Sequence, residues 1–144
     1  MSAAGNIKLM QEMMAAARDR NEDRYLACFA DYVVIRAAGV PKALGGVTQG
    51  KNQIRENFRN AQPAANPPQV RTIFADEGHV CLEERVSSNF NGTAFFKGSG
   101  KPYTTYQCIV YEIEDNRIKS STAYINFLDV YVQAGMVDVS TLTV

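Results

Sequence analysis

The sequence predicts an α+β domain in which helices come first and a run of long strands follows. Three segments carry helical apolar spacing or helix start signals; they are residues 6–18, 21–29 and 51–60. β-branched and aromatic runs between turn signals predict the strands; these are residues 32–37, 69–74, 80–90, 102–114 and 117–127. No helix separates the strands after residue 69, so they predict an antiparallel meander and not βαβ repeats.

Each predicted helix has its own signal. In the first helix the apolar side chains recur at the spacing of one face: Ile7, Met10, Met13, Met14 and Ala17. Asn21 is a good N-cap for the second helix, whose Leu26 and Phe29 are expected to turn inward. Ile54 and Phe58 lie four residues apart on one face of the third helix.

Glycine, proline and asparagine mark the connections between these elements. Residues 39–50 and 62–68 predict loops, while 91–92 and 115–116 predict tight turns. Residues 95–100 predict a short irregular edge. Asp129 is expected to cap a short helix that runs to about residue 134 and ends at Gly135. The last nine residues predict an arm or an edge strand.

Composition fits one domain over residues 1–144 and excludes several classes of protein. Lysine plus arginine equals aspartate plus glutamate, 15 each, so nothing indicates a nucleic-acid surface. No signal peptide or membrane-spanning run is present, which predicts a cytoplasmic protein that does not bind membranes. The three cysteines have no metal-ligand spacing, and the only histidine is His79, so we expect reduced thiols and no metal site.

One face of the strand at 80–90 is polar with charges, and the other is mostly apolar. Side chains alternate along a strand, so one face holds Cys81, Glu83, Arg85 and Ser87. The opposite face holds Val80, Leu82, Glu84 and Val86. By pattern alone the face with Glu83 and Arg85 is expected to contact water, because charged side chains are seldom buried unless they are paired.

Three segments resemble the nuclear transport factor 2-like superfamily, and most closely its SnoaL-like and limonene-epoxide-hydrolase-like small enzymes. They are FADYVVIRA at 29–37, GKNQIRENF at 50–58 and NRIKSSTAYINFLDVYVQAG at 116–135. The resemblance implies a curved antiparallel or mixed sheet wrapped on three N-terminal helices, a cystatin-like α+β roll. Sheet and helices together form a cone with an internal pocket. It also implies a homodimer formed through the sheet. It does not imply one reaction, because this fold hosts many activities.

The resemblance turns the charged face of strand 80–90 into the pocket, with Leu82 and Val86 left for a dimer surface. Arg85 falls on the arginine of the epoxide-hydrolase site, but Ser87 and Ala123 stand where that site has aspartates, and Ile35 and Ala37 where it has tyrosine and asparagine. The ketosteroid-isomerase positions fall on Ala37, Met13 and Cys108. The resemblance therefore carries over neither mechanism.

The pocket that the resemblance implies is apolar with one polar cluster. Its expected lining is Val33, Ile35, Ala37, Cys81, Glu83, Arg85, Ser87, Tyr106, Cys108, Val110, Ser121 and Ala123, with Tyr124 and Asn126 added if a bulge turns them inward. We expect Glu83 to act as acid or base, Arg85 to stabilise a developing negative charge and Tyr106 to donate a hydrogen bond.

The expected function is a cofactor-free enzyme that moves protons on an apolar, oxygenated small molecule, such as a polyketide or terpenoid intermediate. Isomerisation, cyclisation, dehydration and epoxide opening all fit that chemistry. Two alternatives remain open. Glu83 and Arg85 could form a buried ion pair that only ties strands together, and the whole domain could be a non-catalytic binding or dimerisation module.

Overall fold

The computed structural model describes residues 2–40, 42–61, 66–92 and 97–140. In these residues the helices α1 to α4 span Ala3–Arg18, Glu22–Ala27, Lys51–Asn60 and Phe127–Gln133. The strands β1 to β6 span Phe29–Ala38, Val47–Gln49, Gln69–Ala75, His79–Asn89, Pro102–Glu114 and Arg117–Ile125. A 3₁₀ turn covers Lys42–Leu44.

The strands form one mixed sheet in the order β2-β1-β6-β5-β4-β3. Strand β1 runs parallel to β6, and the other neighbours are antiparallel. Register shifts interrupt three of the pairings: β1 with β6, β3 with β4, and β5 with β6. Such irregularities bend and twist a sheet. The predicted α+β fold with a curved mixed sheet is confirmed.

Helices α1 and α2 cover one face of this sheet, which we call the inner face. Met10 and Met13 of α1 and Leu26 of α2 form one buried cluster with Val80 and Leu82 of β4. The side chain of Leu82 is only 1% exposed. The face of β4 that carries Val80, Leu82, Glu84 and Val86 is therefore the inner face, and the opposite one is the outer face.

Some element boundaries differ from the prediction. The second helix ends at Ala27, because Phe29 already pairs with Ile118 of β6 and so begins β1. The predicted loop 39–50 contains β2, which pairs antiparallel with β1. Asn126, and not Asp129, caps α4, since its side chain accepts a hydrogen bond of 3.1 Å from the Asp129 amide.

Several predicted segments fall partly outside the described residues, namely at 41, 62–65, 93–96 and 141–144. Of the predicted edge at 95–100, Lys97 forms an isolated bridge with Gly92. The last nine residues were predicted to form an arm or an edge strand, and their described part, 136–140, contains no strand.

The Asn21 cap of α2 is confirmed, because its side chain accepts a hydrogen bond of 3.1 Å from the Arg24 amide.

Candidate functional site

The inner face carries a buried acid, Glu84, in a row that is otherwise apolar. Glu84 is 6% exposed, and its direct partner across the β4–β5 ladder is Gln107. The Gln107 amide nitrogen donates a hydrogen bond of 2.5 Å to the Glu84 carboxylate. Within the described part of the chain no cation lies at ion-pair distance from Glu84. A carboxylate with one amide donor is therefore held among apolar neighbours.

Tyr111 shares the inner face with Glu84 and is buried in the main core. Burial raises the pKa of its phenol, and the nearby negative charge of Glu84 adds to the increase. Tyr111 lies opposite Val80 in the ladder, on the same face as Glu84. Its hydroxyl therefore stays protonated at neutral pH, so it is a neutral neighbour of the carboxylate.

A pocket of about 270 Å³ opens beside this acid, between the inner face and α4; we call it the inner pocket. Its lining is Val86, Ser88, Asn89, Phe90, Asn91, Gly92, Tyr103, Thr105, Gln107, Ile125, Phe127, Val130 and Tyr131. Gln107 is thus both a wall of the pocket and the hydrogen-bond donor to Glu84. Glu84 itself does not line the pocket; it lies beside Gln107, its direct partner on the neighbouring strand.

Helix α4 forms one wall of the inner pocket and is attached to the sheet by Gln133. The Gln133 side chain accepts a hydrogen bond of 2.8 Å from the Thr104 amide and donates one of 2.9 Å to the Thr104 carbonyl. Strand β6 ends at Ile125, which pairs with Gln107, so it leaves Thr104 without a strand partner on that side. Gln133 supplies that partner. The contact between α4 and the sheet also contains a buried apolar cluster of Phe90, Val130 and Ala134.

The outer face carries a larger and more open groove of about 810 Å³, which we call the outer groove. Its lining is Ala38, Gly39, Thr72, Phe74, Cys81, Glu83, Tyr106, Gln107, Cys108, Tyr124, Ile125 and Asn126. Phe74, Tyr106 and Tyr124 are 61%, 51% and 55% exposed. This groove therefore presents aromatic side chains to the surroundings of the monomer.

The inward orientation that the resemblance implies for Glu83 and Arg85 is wrong, whereas the pattern alone predicts their outward orientation. Glu83 pairs with Cys108 and Arg85 with Tyr106 on the outer face. Leu82, which was predicted to be free for a dimer surface, lies in the core. The physical reason is that α1 and α2 need an apolar surface to pack on, and the row of Val80 and Leu82 provides it.

The predicted pocket residues are consequently divided between the two faces. Those on the inner face are Val33, Ile35, Ala37, Ser121 and Ala123. Those on the outer face are Cys81, Glu83, Arg85, Ser87, Tyr106, Cys108, Val110 and Tyr124. Asn126 caps α4 and lines the outer groove. Cys81, Glu83, Tyr106, Cys108, Tyr124 and Asn126 do meet, but in the open outer groove and not in an enclosed cavity.

The alternative in which Glu83 forms a buried ion pair with Arg85 is not what the structure has, because Glu83 is paired with Arg71. Arg71 of β3 approaches the Glu83 carboxylate at 3.3 Å, and its guanidinium lies 4.9 Å from the centre of the Tyr106 ring. Arg85 is exposed. The catalytic roles of Glu83, Arg85 and Tyr106 stay predictions. They were predicted for an enclosed pocket, whereas these residues lie on the open outer face.

Two cysteines meet on the outer face. The sulfur atoms of Cys81 and Cys108 are 3.4 Å apart and share a hydrogen bond. Partial burial raises the pKa of the Cys81 thiol to about 11, and the hydrogen bond to Cys108 adds to that increase. Among the described residues no three His, Cys, Asp or Glu side chains are grouped so that they could hold a metal ion. No described helix is long and apolar enough to span a membrane.

The sequence prediction missed Glu84 and Gln107. The signal for Glu84 was present, since it is the one acid in a row that also holds Val80, Leu82 and Val86. Gln107 had no signal of its own, because its importance comes from the register that places it opposite Glu84.

Comparison with solved structures shows the same fold in three proteins that share little sequence with this one. An LEH-like epoxide hydrolase of M. tuberculosis is 17% identical with a TM-score of 0.70, over 92% of this chain and 90% of that one. An NTF2-like protein of Burkholderia xenovorans is 16% identical with a TM-score of 0.71, over 93% and 98%. A protein of Catenulispora acidiphila with a ketosteroid isomerase-like fold, solved with trimethylamine, is 16% identical with a TM-score of 0.66, over 90% and 93%.

At these identities the similarity concerns the fold alone. No curated protein sequence matches the chain. The model of the SnoaL-like domain family, however, matches residues 10–121. That match runs from α1 into β6 and includes both Glu84 and Gln107. The chain therefore belongs to the SnoaL-like domain family.

Proposed function

We propose that this protein is a small, cofactor-free enzyme that transfers protons on an apolar, oxygenated molecule bound at the inner face, with Glu84 as the acid or base. The observation that carries the proposal is the buried carboxylate of Glu84, which has one amide donor and no cation beside it among the described residues. Burying such a group lowers stability, so an acid at this position calls for another role. Proton transfer is the role for which a positioned carboxyl group is suited.

Gln107 connects the acid to the bound molecule. Its amide occupies one Glu84 oxygen at 2.5 Å while its side chain lines the inner pocket. A ligand carbonyl or hydroxyl that takes over this hydrogen bond would come into contact with the carboxylate. Hydrogen bonds of a catalytic site often form fully only in the complex. Isomerisation, cyclisation, dehydration and epoxide opening all begin with such a contact.

One observation favours a second candidate, a binding module without catalysis. Glu84 does not line the inner pocket, so of these two hydrogen-bonded residues only Gln107 would touch a ligand there. In this case Glu84 would only fix the orientation of the Gln107 amide, which would in turn select ligands with a complementary polar group. The two candidates share the pocket and differ in whether Glu84 exchanges a proton.

The inner pocket can be tested with small ligands that fill it and with a variant that blocks it. Its volume of about 270 Å³ equals roughly nine water molecules, which suits a molecule with one ring. We expect a panel of single-ring epoxides, ketones and lactones to include a ligand that raises the unfolding free energy by about 2.7 kcal/mol at 100 times its Kd. Val86→Trp should abolish this stabilisation, because Val86 lines the pocket.

Ser87→Trp is the matched control, since Ser87 is the next residue of β4 and points to the outer face, where it hydrogen-bonds Thr104. This variant should keep the full stabilisation in thermal unfolding. Equal stabilisation of Val86→Trp by every ligand of the panel would contradict a site in the inner pocket.

The proposal has a second part, which is that another copy of the chain covers the outer face. Phe74, Tyr106 and Tyr124 expose their rings there on three different strands. A monomer seldom exposes a contiguous apolar patch of this kind. In a two-fold symmetric pair the same patch of each copy faces the other, so aromatic rings would meet aromatic rings.

Tyr124→Glu should convert the pair into monomers, because it places two new negative charges near each other across a two-fold contact. Light scattering coupled to size-exclusion chromatography measures the mass directly. Leu128→Glu is the control, since Leu128 is similarly exposed but belongs to α4. A dimer that persists with Tyr124→Glu, or dissociates equally with Leu128→Glu, would rule out this face as the contact.

A further inference from the structure

The neighbouring thiols of Cys81 and Cys108 have no part in the function proposed above. Both side chains lie on the outer face, on the adjacent strands β4 and β5, and both line the outer groove. Their sulfur atoms are 3.4 Å apart. The third cysteine, Cys28, is different: it is buried and its thiol donates to the Arg24 carbonyl.

The register of the strands decides what this pair can form. Cys81 is directly opposite Val110, and Cys108 is directly opposite Glu83, so the two cysteines are diagonal neighbours. Diagonal positions of an antiparallel pair have Cα atoms about 7–8 Å apart. A disulfide needs Cα atoms within about 7 Å and sulfurs at about 2.05 Å. Disulfide closure would therefore require the strands to shift.

A single atom that binds both sulfurs fits the pair without such a shift. Two bonds of about 2.3 Å, the length that soft metals form with thiolates, span the 3.4 Å between the sulfurs at a bond angle of about 95°. That angle is typical of a pyramidal centre with a lone pair. The pair thus has the geometry of a bidentate thiol ligand.

The surroundings indicate what else such a centre must carry. The described residues offer no third metal-binding side chain beside the pair, and the nearest acid, Glu83, is held by Arg71 at 3.3 Å. A centre bound here must therefore bring its own third substituent. The aromatic walls of the groove, Phe74, Tyr106 and Tyr124, favour an apolar or aromatic group in that place.

We propose that the Cys81–Cys108 pair is a binding site for organic trivalent arsenicals, with the organic group lodged in the outer groove. An arsonous acid, R–As(OH)₂, reacts with both thiols to give R–As bound to the two sulfurs and two molecules of water. Two As–S bonds form while two As–O and two S–H bonds break, and each thiol proton leaves with a hydroxide. Arsenic stays trivalent, so no oxidant or reductant is needed.

Phenylarsine oxide, which hydrates to such an acid, tests this site on the intact protein. We expect the mass to increase by one phenylarsenic group while two thiols become unreactive toward a thiol reagent. The adduct should survive excess 2-mercaptoethanol and be removed by 2,3-dimercaptopropanol, because only a second dithiol competes with two bonds held at one site. Peptide mapping should place the group on Cys81 and Cys108.

Three serine variants separate the pair from the remaining cysteine. Cys28→Ser should behave as the unmodified protein does, whereas Cys81→Ser and Cys108→Ser should each bind at least about 100-fold more weakly. Removal of the group from the unmodified protein by 2-mercaptoethanol, or mapping of the group to Cys28, would overturn the proposal. These readouts on the unmodified protein hold even if a serine variant fails to fold.

This site does not depend on the inner pocket, so its failure and that of the enzyme proposal are distinguishable. It does share its surface with the proposed dimer contact. If both are correct, phenylarsine oxide should shift the dimer toward monomer, since the phenyl group would occupy the space of the second copy. An adduct that forms on an intact dimer would place the contact between copies elsewhere without removing the thiol site.

Discussion

Leu82→Ala is expected to lower the free energy of unfolding by about 2–5 kcal/mol, the usual range when a leucine in a packed core is truncated. Leu82 is 1% exposed and packs in the cluster formed by α1, α2 and the sheet. Truncation leaves a cavity that neighbours such as Met10 fill only in part, which adds to the lost burial of apolar surface. Urea denaturation, with an unchanged slope against denaturant, measures the loss.

Cys81→Ala is the matched control, one residue earlier on the same strand. Cys81 lies on the outer face and is partly exposed, so its truncation should change the unfolding free energy by less than about 1 kcal/mol. If Cys81→Ala destabilised the protein as much as Leu82→Ala, the assignment of the inner and outer faces would be reversed. The comparison therefore tests the orientation on which both proposals depend.

Much of the fold could be predicted from the sequence because its signals are local. Helical spacing identified α1 and α3, and turn residues separated β5 from β6. The errors occur where a tertiary contact decides. The three residues of β2 are a strand only because β1 pairs with them, and Phe29 leaves the helix pattern because it pairs with Ile118.

The orientation of β4 shows a different limit. Alternation divides a strand into two faces without saying which of them meets the helices. Here the pattern by itself favoured the correct answer, since Val80 and Leu82 form the apolar face and Glu83 and Arg85 the charged one. The resemblance at Arg85 led to the opposite choice. A shift of one residue in an alignment is enough to exchange the two faces of a strand.

The same one-residue shift of the alignment also exchanges one candidate acid for another, because Glu83 and Glu84 are adjacent. Our proposal keeps the predicted chemistry, an acid on the sheet, and assigns it to Glu84 instead of Glu83. Only the structure distinguishes them: Glu83 is held by Arg71 in the open outer groove, whereas Glu84 is buried and held by Gln107. The two residues therefore form a natural pair for mutagenesis.

Glu84→Gln should reduce turnover by about 10²- to 10⁴-fold, the usual contribution of a positioned acid or base, while the affinity for the ligand found by unfolding assays stays within a few-fold. Glutamine keeps the size and shape of the side chain and removes its ability to exchange a proton. Single-turnover kinetics together with ligand-induced stabilisation separate the two effects. If Glu84 is catalytic, the variant has a lower rate. If Glu84 only orients Gln107, the variant binds the ligand more weakly.

Glu83→Gln is the control for this experiment, since Glu83 differs by one position and lies on the other face of the sheet. It should leave turnover unchanged. Loss of rate in Glu83→Gln alone would return the catalytic role to the outer groove and to the acid first predicted there. Loss of affinity without loss of rate in Glu84→Gln would favour the binding module, because the carboxylate would then act on the ligand only through the amide of Gln107.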